Sequence, residues 1–183
     1  MKEPSGSFFN FNRMNFTAID FETATGYGNS ACAVGIITVE DSVITEEYHA
    51  LIQPPDNEYW YRNIQVHGIK PYDTLNVPTF DVLFPEIQKR LFGRKIVAHN
   101  ESFDRNVLAK TMRHYGLYYD ELEIADRWEC TVKIYRAKGY PKANLQYCCD
   151  RNNIALNHHE ALSDARACAK LYLLHNSQVK LKI

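Results

Sequence analysis

The stretch Asn15-Phe16-Thr17-Ala18-Ile19-Asp20-Phe21-Glu22-Thr23 decides the fold. Most of its residues are apolar or β-favouring, and a glycine-containing turn at 25–29 follows, so it predicts a strand that ends in a loop. Side chains two residues apart on a strand point to the same face, so Asp20 and Glu22 share the side expected to pack inward. Two buried carboxylates repel each other and lose hydration unless a cation lies between them. The pattern leaves two interpretations open: a divalent-metal site, or a strand end at which both acids reach solvent.

Length and composition are those of a single-domain globular protein. The chain has 183 residues, of which 45% are hydrophobic, enough for one sizeable core. No stretch is long enough to cross a bilayer and residues 1–7 lack an apolar signal core, so we expect no membrane partner and a cytoplasmic location. The five cysteines are an odd number without a Cys-x-x-Cys pair, which argues against a disulfide framework and a structural zinc site.

The overall charge does not indicate a nucleic-acid-binding protein, since the net charge is −1 and the pI is about 6.6. A basic cluster within 127–142 indicates one of two things. It either binds a few phosphates locally, so that nucleic-acid affinity depends only weakly on salt, or it is a solvated helix face. It comprises Arg127, Lys133, Arg136, Lys138 and Lys142. The aromatic run Tyr59-Trp60-Tyr61 leaves a similar choice between stacking on bases and anchoring a loop on the core.

The order of the predicted elements indicates an α/β fold with a mixed β-sheet. Two hairpin strands follow the first strand, and a short strand and several helices follow a long loop. We expect an extension at 1–14, one domain at 15–176 and a polar tail at 177–183. The predicted strands are 15–22, 33–39, 44–52, 95–99 and a short one near Ile124, and the predicted helices are 80–92, 102 or 103–115, 131–138, 143–152 and 160–175.

A second acid, Asp104, belongs to one of these helices. It shares helical spacing with apolar residues, so its carboxylate is expected on the inward face. Its position in the first turn is also explained by interaction with the helix dipole, which requires no functional role. The apolar stripe consists of Val107, Leu108, Thr111, Met112 and Tyr115.

A third acid, Asp164, falls in a stripe of small and apolar residues on the last helix, at Ala161, Ala165, Cys168 and Tyr172. A carboxylate on such a face is costly unless it binds a metal or pairs with a nearby arginine. Upstream, Asn157 and Glu160 have the spacing of a helix capping box. This arrangement places His159 near the helix start, within reach of the same cleft.

Four carboxylates on apolar faces and one histidine form a hard, oxygen-rich donor set, which favours Mg²⁺ or Mn²⁺ over zinc. Such sites commonly hold two ions about 3.5–4 Å apart, which stabilise the attacking and leaving oxygens of a phosphoryl displacement. A histidine with an ordinary pKa near 6.5 can take a proton from the attacking water. The predicted chemistry is phosphodiester hydrolysis.

Three motifs resemble those of the DEDDh 3′–5′ exonucleases, and the pattern is most similar to the DnaQ-like proofreading domains of DNA polymerase III epsilon subunits. They are Asp20-Phe21-Glu22-Thr23, His99-Asn100-x-x-Phe103-Asp104 and His159-x-x-x-x-Asp164-Ala165. The resemblance covers residues 14–175 and includes Val66-His67-Gly68-Ile69. It implies a ribonuclease-H-like fold, with a central mixed β-sheet flanked by helices and the active-site strand in its middle.

The resemblance also implies roles for single residues. Two divalent metal ions would be held by Asp20, Glu22, Asp104 and Asp164, and His159 would be the general base. The terminal nucleotide would be held by Thr23, Ala24, His67, Asn100 and Phe103. The weak basic surface departs from what an independent nuclease of this family is expected to show.

We therefore predict a metal-dependent 3′–5′ exonuclease that releases nucleoside 5′-monophosphates from the 3′ end of single-stranded DNA, in proofreading or repair. Its partners would be DNA 3′ ends and a polymerase or repair protein. One alternative is a 3′–5′ exoribonuclease of the same family, since recognition of the 2′-hydroxyl is not readable from the motifs. The other is a catalytically idle nucleic-acid-binding module on this fold, although all five catalytic positions are filled.

Overall fold

The computed structural model describes residues 13–179, which form one sheet with helices on both faces. Most of the predicted N-terminal extension lies outside the described residues, as do residues 180–183. The strands are β1 (Phe16–Thr23), β2 (Ala31–Glu40), β3 (Val43–Leu51), β4 (Ile96–Ala98) and β5 (Trp128–Cys130). The helices are α1 (Tyr61–His67), α2 (Pro71–Thr74), α3 (Phe80–Leu91), α4 (Glu101–His114), α5 (Thr131–Ala137), α6 (Leu145–Arg151) and α7 (Ala161–Val179).

The sheet is mixed, and its central strand is β1, as predicted. The strand order is β3-β2-β1-β4-β5, with β1, β2 and β3 antiparallel and β1, β4 and β5 parallel. The hairpin between β2 and β3 turns at Asp41 and Ser42, both of which have positive φ. The predicted α/β fold class with a central mixed sheet is confirmed.

The side-chain alternation along β1 separates two apolar cores. Ile19 and Phe21 pack on one face with residues of α3 and α4, whereas Phe16 and Ala18 pack on the other with α7. The face of Phe16 and Ala18 is also that of Asp20 and Glu22, because side chains alternate along a strand. The C-terminal end of β1 therefore carries its two acids toward the start of α7.

Several element boundaries differ from the sequence prediction. The strand expected near Ile124 is instead β5 at Trp128–Cys130, and Ile124 is a buried residue that follows a 3₁₀ helix at Tyr119–Leu122. The segment 59–69, predicted as a loop, contains α1, and a 3₁₀ helix at Pro55–Asn57 precedes it. The last helix continues to Val179, past its expected end at 175. None of the helices in the described range is long and apolar enough to span a membrane.

Candidate active site

The site forms where the C-terminal half of β1 has no neighbouring strand on the β4 side. Strand β4 has three residues, and its pairing with β1 ends at Ala18 opposite Val97. The N–H of Phe21 on that edge consequently has no strand partner, and it donates to Oδ1 of Asp104 at 3.0 Å. The first turn of α4 thus substitutes for the missing strand and brings the third acid beside the other two.

The start of α7 brings the fourth acid to the same place, because it packs directly on β2. Gly35 pairs with Asp20 across the sheet, and a Cβ on Gly35 would lie 2.2 Å from the carbonyl oxygen of Ala161. Only a residue without a side chain permits this approach. One turn further along α7, Asp164 reaches the cleft with 4% of its surface exposed.

Three of the four predicted acids surround a single point. Each of Asp20, Glu22 and Asp164 offers a carboxylate oxygen within 4.8 Å of the other two. Asp104 is 1% exposed and close enough for its charge to act on Asp20; its Oδ1 accepts from the Phe21 N–H and its Oδ2 has no hydrogen-bond partner. Oδ1 of Asp164 is also buried and unpartnered. The four acids therefore form one cluster, with two orphaned oxygens inside it.

The electrostatics of the cluster show how unfavourable it is without a cation. Burial, and next the negative charge of Asp104, hold the pKa of Asp20 well above its usual range. Burial together with Asp164 raises the pKa of Glu22 to about 8. Burial likewise raises the pKa of Asp104 and of Asp164. Such shifts follow when like charges share a poorly hydrated space.

The residues fit a divalent cation. Hard carboxylate oxygens are the ligands that Mg²⁺ and Mn²⁺ prefer. The buried oxygens of Asp104 and Asp164 that lack a hydrogen-bond partner are therefore available to coordinate a metal. No arginine contacts Asp164 in the described part of the chain, so the alternative of a structural Asp–Arg pair is not supported. Its partners are the Nδ1 of His158 at 2.9 Å and the backbone N–H of His159 at 3.2 Å.

Two consecutive histidines face this carboxylate. The backbone of His159 has φ of 68°, and the two imidazole rings lie stacked with centroids 3.8 Å apart. Burial, and next the neighbouring His158, lower the pKa of His159. The predicted cap is also different, because the carboxylate of Glu160, not Asn157, accepts the N–H groups of Leu162 and Ser163 at the start of α7.

One wall of the cleft is built by α1. Asn63 donates from Nδ2 to the carbonyl oxygens of Thr23 at 2.8 Å and Thr25 at 3.1 Å. The Nε2 of His67 lies 3.2 Å from the same Thr23 oxygen, and burial lowers its pKa. This wall therefore fixes the backbone immediately after the acids of β1.

The opposite wall contains Asn100 and Phe103, at the start of α4. Asn100 lies in the left-handed region, with φ of 72°, and Phe103 is 43% exposed. Ala24 is fully buried, and its N–H and C=O are bound to Ser30 and Trp60. Ala24 therefore does not line the cleft, whereas the other four predicted substrate-contacting residues do.

The complete cleft has a volume of about 590 Å³ and includes residues that the motifs did not reveal. Two arginines lie on its rim, Arg62 of α1 and Arg136 of α5. Asn63 and His158 are further additions. Helix α1 has only seven residues and no buried side chain, so its spacing at 62, 63, 66 and 67 did not predict the α1 wall. Arg136 belongs to the basic cluster noted in the sequence. Nothing in the sequence distinguished His158 from His159 beyond the motif spacing.

Comparison of sequences identifies relatives for most of the chain. The family model RNase_T, described as exonuclease, matches residues 17–172. A PolC-type DNA polymerase III of Thermotoga petrophila is 29% identical over 168 residues, which are 89% of this chain and 12% of the polymerase. The 3′-5′ exonuclease DinG of Staphylococcus saprophyticus is 28% identical over 172 residues, 87% of this chain and 18% of DinG. The chain thus spans less than a fifth of the length of these relatives.

Solved structures share the fold. Exonuclease X superposes with a TM-score of 0.70 at 22% identity, covering 90% of this chain and 93% of that one. The nuclease domain of 3′hExo, a DEDDh family member, gives 0.76 at 15% identity, covering 91% and 93%. Exonuclease I gives 0.79 at 17% identity, covering 91% of this chain and 42% of its own. With the family model matched across both cores, the chain belongs to the RNase_T exonuclease family, and the matched residues include all three motifs that resemble those of the DEDDh 3′–5′ exonucleases.

Proposed function

We propose that this protein removes nucleotides one at a time from the 3′ end of single-stranded DNA and releases nucleoside 5′-monophosphates. The observation that carries the proposal is the convergence of Asp20, Glu22 and Asp164 on one point, with His159 beside it in the same cleft. Family membership gives the reaction class, a metal-dependent 3′–5′ exonuclease acting on DNA or RNA. That the substrate is DNA, that it is single-stranded and that the reaction serves proofreading or repair are parts of our proposal.

The carboxylates of Asp20, Glu22, Asp104 and Asp164 would hold two divalent ions, Mg²⁺ or Mn²⁺. Bound there, the ions would polarise the scissile phosphate and offset the charge that develops in the transition state. The family uses divalent ions, and the raised carboxylate pKa values show how strongly the cluster needs a counter-charge. Equilibrium dialysis against Mn²⁺ without substrate should detect the ions, and Asp20→Asn should weaken their binding.

The chain's own residues would position and deprotonate the attacking water. The pKa of His159 is lowered, so its imidazole is neutral near neutral pH and can accept a proton from that water. Asn63 and His67 both contact the carbonyl oxygen of Thr23 and fix its position. The terminal nucleotide would therefore bind against a rigid segment of backbone. Phe103, exposed at the mouth of the cleft, offers a face on which a base can stack.

A digest of labelled oligonucleotides tests the polarity and the need for an end. With Mg²⁺ or Mn²⁺, a 3′-labelled single strand should lose its label at once as mononucleotide, whereas a circular strand of the same sequence should survive. Asp20→Asn is the matched inactive control. Steady cutting of the circle would overturn the exonuclease proposal.

The same digest with RNA decides between the two candidate substrates. Among the related structures, Exonuclease X is bound to duplex DNA with a 5′ overhang and 3′hExo is bound to the ribonucleotide rAMP, so proteins of this fold accommodate DNA and a ribonucleotide. We expect the DNA strand to be shortened faster than an RNA strand of equal sequence. Faster digestion of RNA would replace our proposal by the exoribonuclease alternative.

We further propose that the enzyme acts on frayed 3′ ends supplied by a polymerase or repair partner. The relatives in which this domain occurs are much longer proteins, a PolC-type polymerase and DinG. A primer with a mismatched 3′ terminus should lose that nucleotide faster than a fully paired primer, because a mismatched end is already partly unpaired. Equal rates on the two primers would contradict a proofreading role.

A further inference from the structure

A second groove lies beside the active site, and none of the predicted site residues belongs to it. We name it the α4 groove. It lies between the loop 26–29 and the C-terminal half of α4 and has a volume of about 410 Å³. It is lined by Gly26, Tyr27, Gly28, Asn29, Lys110, Arg113 and His114.

The loop is held directly against the helix, so the groove is a defined feature of the fold. A Cβ on Gly28 would lie 2.7 Å from Nδ2 of Asn106 and 2.8 Å from Cδ of Lys110. The hydroxyl of Thr111 donates to the carbonyl of Gly28 at 3.4 Å, and Nδ2 of Asn29 lies 3.4 Å from Nδ1 of His114. These contacts follow the helix over more than two turns.

Helix α4 contributes residues to both the catalytic cleft and the α4 groove. Phe103, at the mouth of the cleft, is followed on the same helix by Asn106 and Lys110, at three- and four-residue spacing. Residues at that spacing form one stripe on a helix surface. From Phe103 to Arg113 the stripe is about 15 Å long, at 1.5 Å per residue. A strand that leaves the cleft past Phe103 would follow this stripe into the α4 groove.

The chemistry of the groove suits a nucleic-acid strand. Lys110 and Arg113 form no ion pair with any described residue, and none of the lining residues is acidic. Tyr27 is 60% exposed and is held edge-on against Trp60, with ring centroids 5.2 Å apart. Unpaired cations that neutralise phosphates, beside an exposed ring on which bases stack, are what single-strand-binding grooves combine.

We propose that the α4 groove binds the single strand on the 5′ side of the scissile bond, through phosphate contacts from Lys110 and Arg113 and stacking on Tyr27. This inference rests on the proposed exonuclease function. At about 3.4 Å per stacked nucleotide, the stripe accommodates roughly four nucleotides. The groove would therefore hold a substrate in place between successive cleavages, in a protein whose net charge of −1 gives no general attraction to nucleic acid.

Charge reversal in the groove tests the proposal. The double variant Lys110→Glu/Arg113→Glu is compared with Lys70→Glu/Arg151→Glu, which changes the net charge equally at exposed positions outside both grooves and outside the basic cluster of 127–142. For the wild type, KM should fall as oligonucleotides lengthen from two to about six nucleotides and then level off. The groove variant should raise KM for a 12-nucleotide strand at least about tenfold, with kcat and dinucleotide cleavage unchanged.

Salt dependence gives an independent readout. Each lost phosphate contact should reduce the slope of log KM against log salt by about 0.7 for a single strand. The groove variant should show this reduction and the control variant should not. Tyr27→Ala should also raise KM for the long strand, without changing the salt slope.

The outcomes separate this inference from the proposed function. Absence of cleavage by the wild type on every substrate would refute the function itself. Normal wild-type activity, with an unchanged KM and salt slope in the groove variant, would overturn the groove alone. An equal effect of the control variant would assign the effect to overall charge and also overturn it. If charge reversal lowers the melting temperature, the neutral pair Lys110→Gln/Arg113→Gln replaces it.

Discussion

His158 and His159 illustrate how two identical neighbours come to have different roles. The positive φ of His159 turns both rings to one side, where they stack. The Nδ1 of His158 is hydrogen-bonded to the buried carboxylate of Asp164, whereas the His159 side chain remains available to the cleft. Motif spacing selected His159, and its lowered pKa fits a base that is neutral when the enzyme works.

Replacement of His159 tests its proposed role as the general base. His159→Asn suits the left-handed backbone, which asparagine tolerates better than most residues. We expect turnover to fall by about 10²–10⁴-fold, the usual contribution of general-base catalysis, with Mn²⁺ binding little changed. The wild-type rate should rise with pH as the imidazole loses its proton. Because the pKa of His159 is lowered, the rate should reach its plateau at a lower pH than it would with a histidine of ordinary pKa.

The matched control is His158→Asn, which removes the imidazole bound to Asp164 but keeps that of His159, and should therefore reduce turnover less. Steady-state rates and Mn²⁺ dialysis on both variants settle the assignment. A large loss in His158→Asn with a normal rate in His159→Asn would shift the base by one residue.

Glu22 makes the stability of the metal-free protein depend on pH. Its folded-state pKa of about 8 lies above its ordinary value of 4.5. A raised folded pKa gives stability that is complete below the unfolded pKa and is lost as pH rises through the folded pKa. The metal-free protein should therefore lose roughly 2 kcal/mol of unfolding free energy between about pH 6 and pH 8 from this group alone.

Urea unfolding with chelator present, at several pH values, measures this loss. Glu22→Gln should make the profile less steep, because the amide does not titrate. An unchanged profile in that variant would show that Glu22 is not the responsible group. Glu47→Gln is a suitable control, because Glu47 is an acid that pairs with Arg166 on the surface.

At the scale of elements, the helices that carry the acids could be predicted from the sequence, whereas the α1 wall of the cleft could not. The inward stripes of α4 and α7 were predicted with Asp104 and Asp164 on them, because long amphipathic helices have a clear 3.6-residue period. Helix α1 has only seven residues and no buried side chain, so it gives little periodicity to detect. Its position depends on the side chains of Asn63 and His67 binding the β1 backbone, which is a tertiary effect.

The misplaced last strand has a similar cause. Ile124 is apolar and fully buried, which resembles a strand residue in sequence. The residues that pair with β4 are 128–130, and their pairing is set by Ile96 opposite Trp128 across the sheet. Short strands take their position from such partners more than from their own composition.

The contact between α7 and β2 is an element-scale feature that can be tested at Gly35. Gly35→Ala would push a methyl group into the backbone of Ala161 and displace the helix that carries Asp164. We expect a loss of about 1–3 kcal/mol or more, as for other overpacked sites, and a fall in activity larger than the stability loss explains. Unfolding and turnover are measured on the same preparation.

Ile37→Val provides the comparison for Gly35→Ala. Ile37 is a buried residue of the same strand, and removal of one methyl group should cost about 0.5–1.5 kcal/mol without moving α7. Its activity should remain near that of the wild type. If Gly35→Ala also kept full activity, the close approach would have no role in placing Asp164.

At the scale of the whole molecule, function and stability oppose each other at one point. Two apolar cores hold β1 between α4 and α7, and the same packing brings Asp20, Glu22 and Asp164 together, within the electrostatic influence of Asp104. The fold could be predicted from the motifs because their four acids lie on a central strand and two long helices. The small net charge of −1 concealed a local asymmetry, since the acids lie in the cleft and Lys110 and Arg113 lie beside it.

Divalent cations should therefore stabilise the whole protein. Ions that bind only the folded state add about 2.7 kcal/mol at a hundredfold excess over the dissociation constant. The melting temperature should rise with Mn²⁺ or Mg²⁺ and fall again with chelator. Asp20→Asn and Asp164→Asn should be at least as stable as the wild type without metal, because each removes a charge from the crowded cluster, and should lose most of the metal-induced gain.

Asp164→Asn is the decisive variant in this series, because Asp164 also accepts hydrogen bonds from His158 and from the backbone of His159. An asparagine keeps one carbonyl oxygen for these donors, so a ligand role predicts little loss without metal. A structural role predicts a loss of about 3–5 kcal/mol whether or not metal is present, as when one partner of a buried pair is removed. Thermal melts with and without Mn²⁺ distinguish the two. Strong destabilisation of the metal-free variant would remove Asp164 from the set of ligands and leave it as the anchor of the 158–159 turn.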